Sequence, residues 1–212
     1  MTEIATEVAQ ALIEIQAVSL SPNKPFTWAS GLKSPIYCDN RLTIGYPRVR
    51  RLIATHLAQA IHQQYPQVEV IAGTATAGIP HAAWVAELLN LPLVYIRSKP
   101  KDHGQGRQIE GPFKAGQKVV LIDDLISTGG SVLQAAQAAQ NEGADVLGIF
   151  GIFSYQLAAG KQNFADAGLS LTTLSNLSAL LTIAQANNEL TTEELTSLQT
   201  WRQDPQAWSE QH

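Results

Sequence analysis

The chain has 212 residues, which is the size of a single domain. Apolar residues make up 45% of it and charged residues 15%, and the formal net charge is -4, which argues against a sequence-independent nucleic-acid binder. The single cysteine, Cys38, excludes an internal disulfide and a cysteine-based zinc site.

The N-terminal residues and the longest apolar runs bear on where the protein resides. Residues 1–10 contain Glu3 and Glu7 but no basic region, so we expect no signal peptide. Every apolar run is far shorter than the roughly 18 residues of a membrane span. These features predict a cytoplasmic protein that binds neither nucleic acid nor a membrane.

Hydrophobic patterns predict helices and strands that alternate along the chain. Spacing near 3.6 residues and glycine punctuation predict four helices, over 3–17, 46–66, 78–90 and 129–143. Short apolar runs predict four strands, over 68–73, 92–97, 118–124 and 144–153. The alternation predicts an α/β fold, with an open, mainly parallel twisted sheet and helices on both faces.

The same patterns predict three parts within one domain. Residues 1–45 are expected to form an N-terminal helix and a small subdomain, and residues 46–160 the core. Residues 161–212 are expected to form a peripheral helical appendage, with a capped helix near 191–204. A long segment of low apolar content, 98–117, interrupts the core, and loops of this length are usually functional or disordered.

The segment "VVLIDDLISTGGS", residues 119–131, carries the strongest chemical signal. Glycines and hydroxyl side chains at the start of a predicted helix are typical of a phosphate site, because the helix N-terminus favours an anion. The carboxylates of Asp123 and Asp124 stand beside this site and suit sugar hydroxyls or a bridging divalent cation. The segment therefore predicts a site for a phosphorylated sugar with Mg²⁺.

Two common phosphate-binding motifs are absent from the sequence. "VVLIDD" alone is similar to a Walker B strand, but the chain contains no G-x-x-x-x-G-K-[ST] segment. It also lacks G-x-G-x-x-G, since "GQGRQI" has Ile109 in place of the last glycine. A nucleoside triphosphatase and a dinucleotide-dependent dehydrogenase are therefore disfavoured.

Three segments together resemble one enzyme family. Residues 119–131 resemble the 5-phosphoribosyl 1-diphosphate (PRPP) motif of type I phosphoribosyltransferases. "RSKPKDHGQGRQIEG", residues 97–111, resembles the mobile catalytic loop of the orotate phosphoribosyltransferases, and "FTWASGLKSPIYCDNR", residues 26–41, resembles their N-terminal substrate segment. The resemblance implies the type I phosphoribosyltransferase fold and the conversion of orotate and PRPP to orotidine 5'-monophosphate and diphosphate, with Mg²⁺, in a cytosolic homodimer.

The resemblance also implies a role for individual residues. Lys101 and His103 of the loop would reach across the dimer to the diphosphate, together with Arg97, and no side chain would bind the metal directly. Asp123 and Asp124 would hold the ribose hydroxyls, with Lys101, His103 and Asp124 as the catalytic set. The residues expected to surround the 5'-phosphate are Leu125, Ile126, Ser127, Thr128, Gly129, Gly130 and Ser131.

For orotate, the resemblance implies contacts from Ser127, from the ring of Phe26 and from the ammonium group of Lys33. Some positions depart from other branches of the family: Ala29 stands where they have a lysine, and Tyr155 where they have an arginine. Thr76-Ala77 likewise replaces a Tyr-Lys pair. Two alternatives stay open at this point, namely a phosphoribosyltransferase for another base and a regulator that binds PRPP without catalysis.

Overall fold

A computed structural model describes residues 2–28, 30–99 and 108–212 of the chain. Ala29 and residues 100–107 lie outside the described residues. The predicted catalytic residues Lys101 and His103 fall in the second of these gaps.

The N-terminal part of the chain forms a helix, four short strands and a 3-10 helix. Helix α1 is Glu3–Glu14, and the strands are β1 (Val18–Leu20), β2 (Phe26–Thr27), β3 (Lys33–Ser34) and β4 (Ile36–Cys38), followed by the 3-10 helix Asn40–Gly45. Strands β1 and β4 pair antiparallel, and so do β2 and β3. This segment therefore forms two small hairpin-like ribbons that are separate from the main sheet.

Most of the remaining chain alternates between helices and strands of one sheet. The elements are α2 (Pro47–Gln64), β5 (Val70–Thr74), α3 (Gly78–Leu89), β6 (Leu93–Ile96), β7 (Ile109–Glu110), β8 (Lys118–Ile126), α4 (Gly130–Asn141), β9 (Asp145–Ser154), α5 (Ala158–Ala167), β10 (Leu171–Asn176), α6 (Leu177–Ala186), α7 (Thr192–Gln203) and α8 (Pro205–Glu210). Within the described residues the sheet has the order β10-β9-β8-β5-β6-β7. All its strands run parallel except β7, which pairs antiparallel with β6.

Alternate residues of the central strands point to two different hydrophobic cores. On β8, Val120 and Ile122 pack with buried residues of α1, α2 and α3 on one face. Val119 and Leu121 pack with buried residues of α4 and α5 on the other. Helices therefore cover both faces, which explains the nearly continuous apolar strands. The predicted fold class is confirmed.

The C-terminal residues 161–212 differ from the predicted helical appendage. They include strand β10, which pairs in parallel with β9 and extends the sheet. Its sequence, "LTTLSN", is too polar to be distinguished as a strand from periodicity alone. The capped helix is present as α7, where Thr191 and Glu194 form a capping box, but it is not peripheral, because Trp201 is fully buried in the main core.

Strand β8 is two residues longer than predicted. It continues through both aspartates to Ile126, whereas the β5–β8 ladder ends at the Gly73–Ile122 pair. Residues 123–126 therefore extend beyond β5 and keep β9 as their sheet neighbour. Among the described residues, no helix combines the length and apolar composition needed to cross a membrane.

Candidate active site

The two adjacent carboxylates of β8 lie at the carboxyl edge of the sheet, where open α/β sheets bind ligands. Asp123 is 8% exposed and Asp124 is half-buried. The main-chain N–H of Asp124 donates to Asp123 Oδ1 at 2.9 Å. Burial and the neighbouring Asp124 carboxylate raise the pKa of Asp123 to about 8, and burial also raises the pKa of Asp124. A cation or hydroxyl donors that enter here would stabilise the ionised pair.

The turn after β8 presents the start of helix α4. Gly129 caps the helix with a φ of 79°, a backbone conformation that favours glycine, and no side chain caps the first N–H groups. Ser127 is half-buried, whereas Thr128, Gly130 and Ser131 are exposed. Uncapped N–H groups at the positive end of a helix dipole, flanked by accessible hydroxyls, form an anion site.

Helix α5 packs against the turn after β8, through residues that the sequence motifs do not indicate. The Asn163 side chain donates to the main-chain oxygen of Thr128 at 3.0 Å. A Cβ atom at Gly129 would lie 2.5 Å from the ring of Phe164, and a Cβ atom at Gly160 would lie 2.8 Å from the main-chain oxygen of Ser127. The turn therefore fits closely against α5, a contact that no local motif indicates because more than thirty residues separate the partners.

The N-terminal segment lies over the ends of β8 and β9. The side-chain amide of Asn40 donates to the main-chain oxygen of Asp124 at 2.5 Å. The ring of Trp28 stacks on that of Tyr155, the first residue after β9, with a centroid distance of 5.5 Å. Burial raises the pKa of Tyr155, so its hydroxyl stays protonated in this environment. The two contacts place the N-terminal segment against the carboxyl ends of β8 and β9, next to the acidic pair.

Comparison with known proteins agrees with this arrangement. Residues 47–162 match the family model of the phosphoribosyl transferase domain. Over 208 residues the chain is 64% identical to the orotate phosphoribosyltransferase of Lactiplantibacillus plantarum, and the match covers 98% of each chain. The corresponding enzyme of Enterococcus faecalis is 60% identical, with 98% of this chain and 99% of that one covered.

The chain belongs to the orotate phosphoribosyltransferase family. Among solved structures, the orotate phosphoribosyltransferase of Aeropyrum pernix aligns with a TM-score of 0.72 and 27% identity, over 87% of this chain and 99% of that one. The family and fold predicted from the three sequence segments are confirmed. The residue assignments within the site are not tested by these similarities and stay predictions.

Two of the residues predicted to bind orotate lie on the paired strands β2 and β3. Phe26 is half-buried, and its ring centroid is 5.7 Å from that of Tyr37. Lys33 has partners that the family motif did not indicate, since its ammonium group donates to the main-chain oxygen of His212 at 2.5 Å. Its main-chain N–H also donates to Ser209 Oγ at 2.8 Å. The N-terminal substrate segment, residues 26–41, is therefore attached to helix α8 and to the residues that follow it.

Arg97 is placed at the carboxyl end of β6, where the predicted catalytic loop begins. One of its guanidinium nitrogens lies 3.5 Å from the carboxylate of Glu110 on β7. Its main chain also pairs with Gln108 on the other side of the loop. The two ends of the loop are thus joined next to the sheet, while Lys101 and His103 lie outside the described residues.

Proposed function

We propose that this protein transfers the 5-phosphoribosyl group of PRPP to orotate at the carboxyl edge of β8, as its orotate phosphoribosyltransferase relatives indicate. One observation carries the assignment: the buried Asp123 and the half-buried Asp124 are followed in the chain by a turn with hydroxyl side chains and by an uncapped helix N-terminus. This pairing suits a molecule with ribose hydroxyls at one end and a phosphate at the other. PRPP has both groups, and the products are orotidine 5'-monophosphate and diphosphate.

The chain's own groups stabilise charge as the bond between C1' and the diphosphate lengthens. Positive charge develops on the ribose, and the carboxylates of Asp123 and Asp124 are placed to hold its hydroxyls and oppose that charge. The turn of residues 127–131 holds the 5'-phosphate, while Leu125 and Ile126 supply the strand that leads into it. Ser127, at the start of the turn, also faces orotate in this proposal.

Negative charge develops on the departing diphosphate, and the loop supplies cations to it. Arg97 lies at the start of the loop. In this proposal its guanidinium group releases the Glu110 carboxylate and binds oxygens of the diphosphate. Lys101 and His103 contribute further positive charge and hydrogen-bond donors.

The acidic pair also fits the Mg²⁺ that PRPP chemistry implies. In the described part of the chain, no group of three or more His, Cys, Asp or Glu side chains could hold a metal by itself. Mg²⁺ commonly keeps several waters and binds through one or two carboxylates together with substrate phosphates. We therefore propose that it arrives with PRPP, held by the substrate and through water by Asp123 and Asp124. When bound, it would neutralise charge on the leaving diphosphate.

The N-terminal segment would bind orotate. The ring of Phe26 provides an aromatic face for the flat base, and Lys33 provides a cation for its carboxylate. In this proposal the Lys33 ammonium group releases the His212 oxygen, and the orotate carboxylate takes its place as the acceptor.

We also propose, from the family resemblance, that the protein is a homodimer in which the loop of one copy completes the site of the other. The chain offers an exposed apolar surface that supports association. A groove of about 260 Å³ between α2 and α3 is lined by Ala54, Trp84 and Leu88, and Leu88 is 55% exposed. Arg51 and Glu87 line the same groove and provide charges of both signs.

The reaction is tested by following orotate absorbance in the presence of PRPP and Mg²⁺, with each component omitted in turn. We expect orotate to be consumed only in the complete mixture. Consumption that is unaffected by omitting Mg²⁺ would contradict the proposed cofactor. PRPP binding without orotate consumption would contradict the proposed substrate and favour another base or a regulatory role.

The raised pKa of Asp123 predicts how stability depends on pH. The folded, ligand-free protein keeps a proton on this carboxyl up to about pH 8, whereas the unfolded chain loses it near pH 4. The stability that this carboxyl contributes is therefore fully present below about pH 4 and is lost as the pH rises from there through the folded pKa of about 8, with a limiting slope of about 1.4 kcal/mol per pH unit.

Thermal unfolding followed by circular dichroism measures this effect. We expect Asp123→Asn to reduce the loss of melting temperature between pH 5 and pH 8, since the amide carries no charge. Asp145→Asn, at an exposed aspartate of β9, is the control and should keep the wild-type pH dependence. Equal pH dependence in wild type and Asp123→Asn would contradict the assignment.

A further inference from the structure

A buried chain of hydrogen bonds connects the N-terminal segment to the strand that carries the acidic pair. The side chains of Asn40, Thr43 and His81 are all fully buried. Thr43 Oγ1 donates to the main-chain oxygen of Asn40 at 2.6 Å, and Asn40 Nδ2 donates to that of Asp124 at 2.5 Å. Buried polar groups with defined partners fix the relative placement of the elements that carry them.

The partners of Asn40 determine how its amide is oriented. The thiol of Cys38 lies 3.4 Å from Asn40 Oδ1. Burial, with smaller contributions from Asp124 and Asp39, raises the pKa of this thiol, so it remains a donor. A donor on one side and the Asp124 carbonyl on the other require Oδ1 to face the thiol and Nδ2 to face Asp124.

His81 connects the same chain to helix α3. Its Nε2 lies 3.3 Å from Thr43 Oγ1. The single hydroxyl proton of Thr43 is used on the Asn40 oxygen, so Nε2 must be the donor in this contact. Burial lowers the pKa of His81 to about 4, which keeps the ring neutral. Helix α3 begins directly after the loop at the end of β5. The hydrogen bonds of Asn40, Thr43 and His81 therefore connect three segments that border the site: the N-terminal segment, the end of β8 and helix α3.

Asn40 supports the part of β8 that extends beyond β5. The β5–β8 ladder ends at Ile122, and Asp124 lies two residues further along the strand. The amide of Asn40 provides a hydrogen bond to this extension from outside the sheet. The placement of the Asp124 main chain, and with it the carboxylate, therefore depends on a residue of the N-terminal segment.

We propose that Asn40 is a positioning residue, which sets the distance between the base-binding segment and the ribose-binding carboxylate of Asp124. This inference rests on the proposed function. Asn40 touches neither substrate in the proposal; it acts through Asp124 and through the strand β4 that precedes it. A displacement of about 1 Å between reacting groups can cost roughly 10²-fold in rate, so the contact should affect the catalytic step.

Steady-state kinetics of Asn40→Leu test the proposal, because leucine has a similar size but no donor. We expect kcat to fall by about tenfold or more. The KM for PRPP should change by less than about threefold, since the 5'-phosphate is held at the start of α4. Thr43→Val keeps the Asn40 amide but removes the hydroxyl, and should lower kcat in the same direction by a smaller factor.

Ser175→Ala is the matched control. Ser175 is also fully buried, and its hydroxyl donates to a main-chain oxygen, that of Ala5, at 2.7 Å. This variant should lower the melting temperature and leave kcat unchanged. A wild-type kcat in Asn40→Leu, with a melting temperature lowered as in Ser175→Ala, would overturn the proposal. If Asn40→Leu does not fold, a wild-type kcat in Thr43→Val has the same meaning.

Amide hydrogen exchange provides a measurement that does not depend on turnover. Exchange of residues 123–127 should be faster in Asn40→Leu than in wild type, and unchanged in Ser175→Ala. Unchanged exchange in Asn40→Leu would overturn the proposal even if the wild-type chain did not consume orotate. Absence of orotate consumption by the wild type would contradict the proposed function instead, so the two failures are distinguishable.

Discussion

Mixing a Lys101→Ala chain with an Asp124→Ala chain should restore activity that neither variant has alone. In the proposed homodimer, each variant alone lacks either the Lys101 ammonium group or the Asp124 carboxylate in both sites, so its kcat should fall by about 10²-fold or more. If loops are exchanged between copies, each mixed dimer has one site that combines an intact Asp124 with the partner's intact Lys101. Random pairing of equal amounts then predicts about a quarter of the wild-type activity.

The control for this experiment is the order of mixing. The two variants are unfolded and refolded together in one sample, and are refolded separately before mixing in the other. Activity that appears only after joint refolding indicates that mixed dimers carry it. No recovery after joint refolding, with mixed dimers present by mass spectrometry, would contradict a loop that acts on the neighbouring site.

Gly129→Ala should weaken PRPP binding and destabilise the fold. The backbone at Gly129 has a φ of 79°, and a Cβ atom there would lie 2.5 Å from the ring of Phe164. Backbone strain and overpacking together should lower the free energy of unfolding by about 3 kcal/mol. Displacement of the turn moves the first N–H groups of α4 away from the phosphate, so calorimetry should show PRPP binding at least roughly tenfold weaker.

The control Gly168→Ala separates backbone strain from overpacking against Phe164. Gly168 has a φ of 64°, but a Cβ atom at this position would meet nothing within 4 Å. This control should lose about 1 kcal/mol from backbone strain alone and keep wild-type PRPP binding. Equal losses of PRPP binding in both variants would show that the turn does not depend on its contact with Phe164.

Several elements could be predicted from the sequence because local patterns determine them. Helix α2 follows from Pro47 in its first turn and from an apolar face that includes Val49, Ile53 and Leu57, all of which are buried. The central strands follow from their continuous apolar runs, since both faces of the sheet are covered. The start of α4 follows from the two glycines at its N-terminus.

Other features depend on residues that are distant in the chain. Strand β10 has a polar sequence and becomes a strand through its ladder with β9. Helix α7 carries only a weak apolar pattern, yet its Trp201 packs against Trp28 and Tyr155 at the edge of the proposed base site. Tyr155 stands where other branches of the family have an arginine, and its aromatic partners explain how the fold accommodates it.

The sequence by itself determined the family of this protein and the motif on which the proposed chemistry rests. That motif is an acidic pair followed by a hydroxyl- and glycine-rich turn, lies within residues 123–131, and needs only a strand and a helix to form. The tertiary structure alone decided what surrounds that motif. The support of the turn by Phe164 and Asn163, the hydrogen bond from Asn40 to Asp124, and the contact of Lys33 with His212 all join distant parts of the chain. Such contacts depend on how the elements pack, and local periodicity carries no information about them.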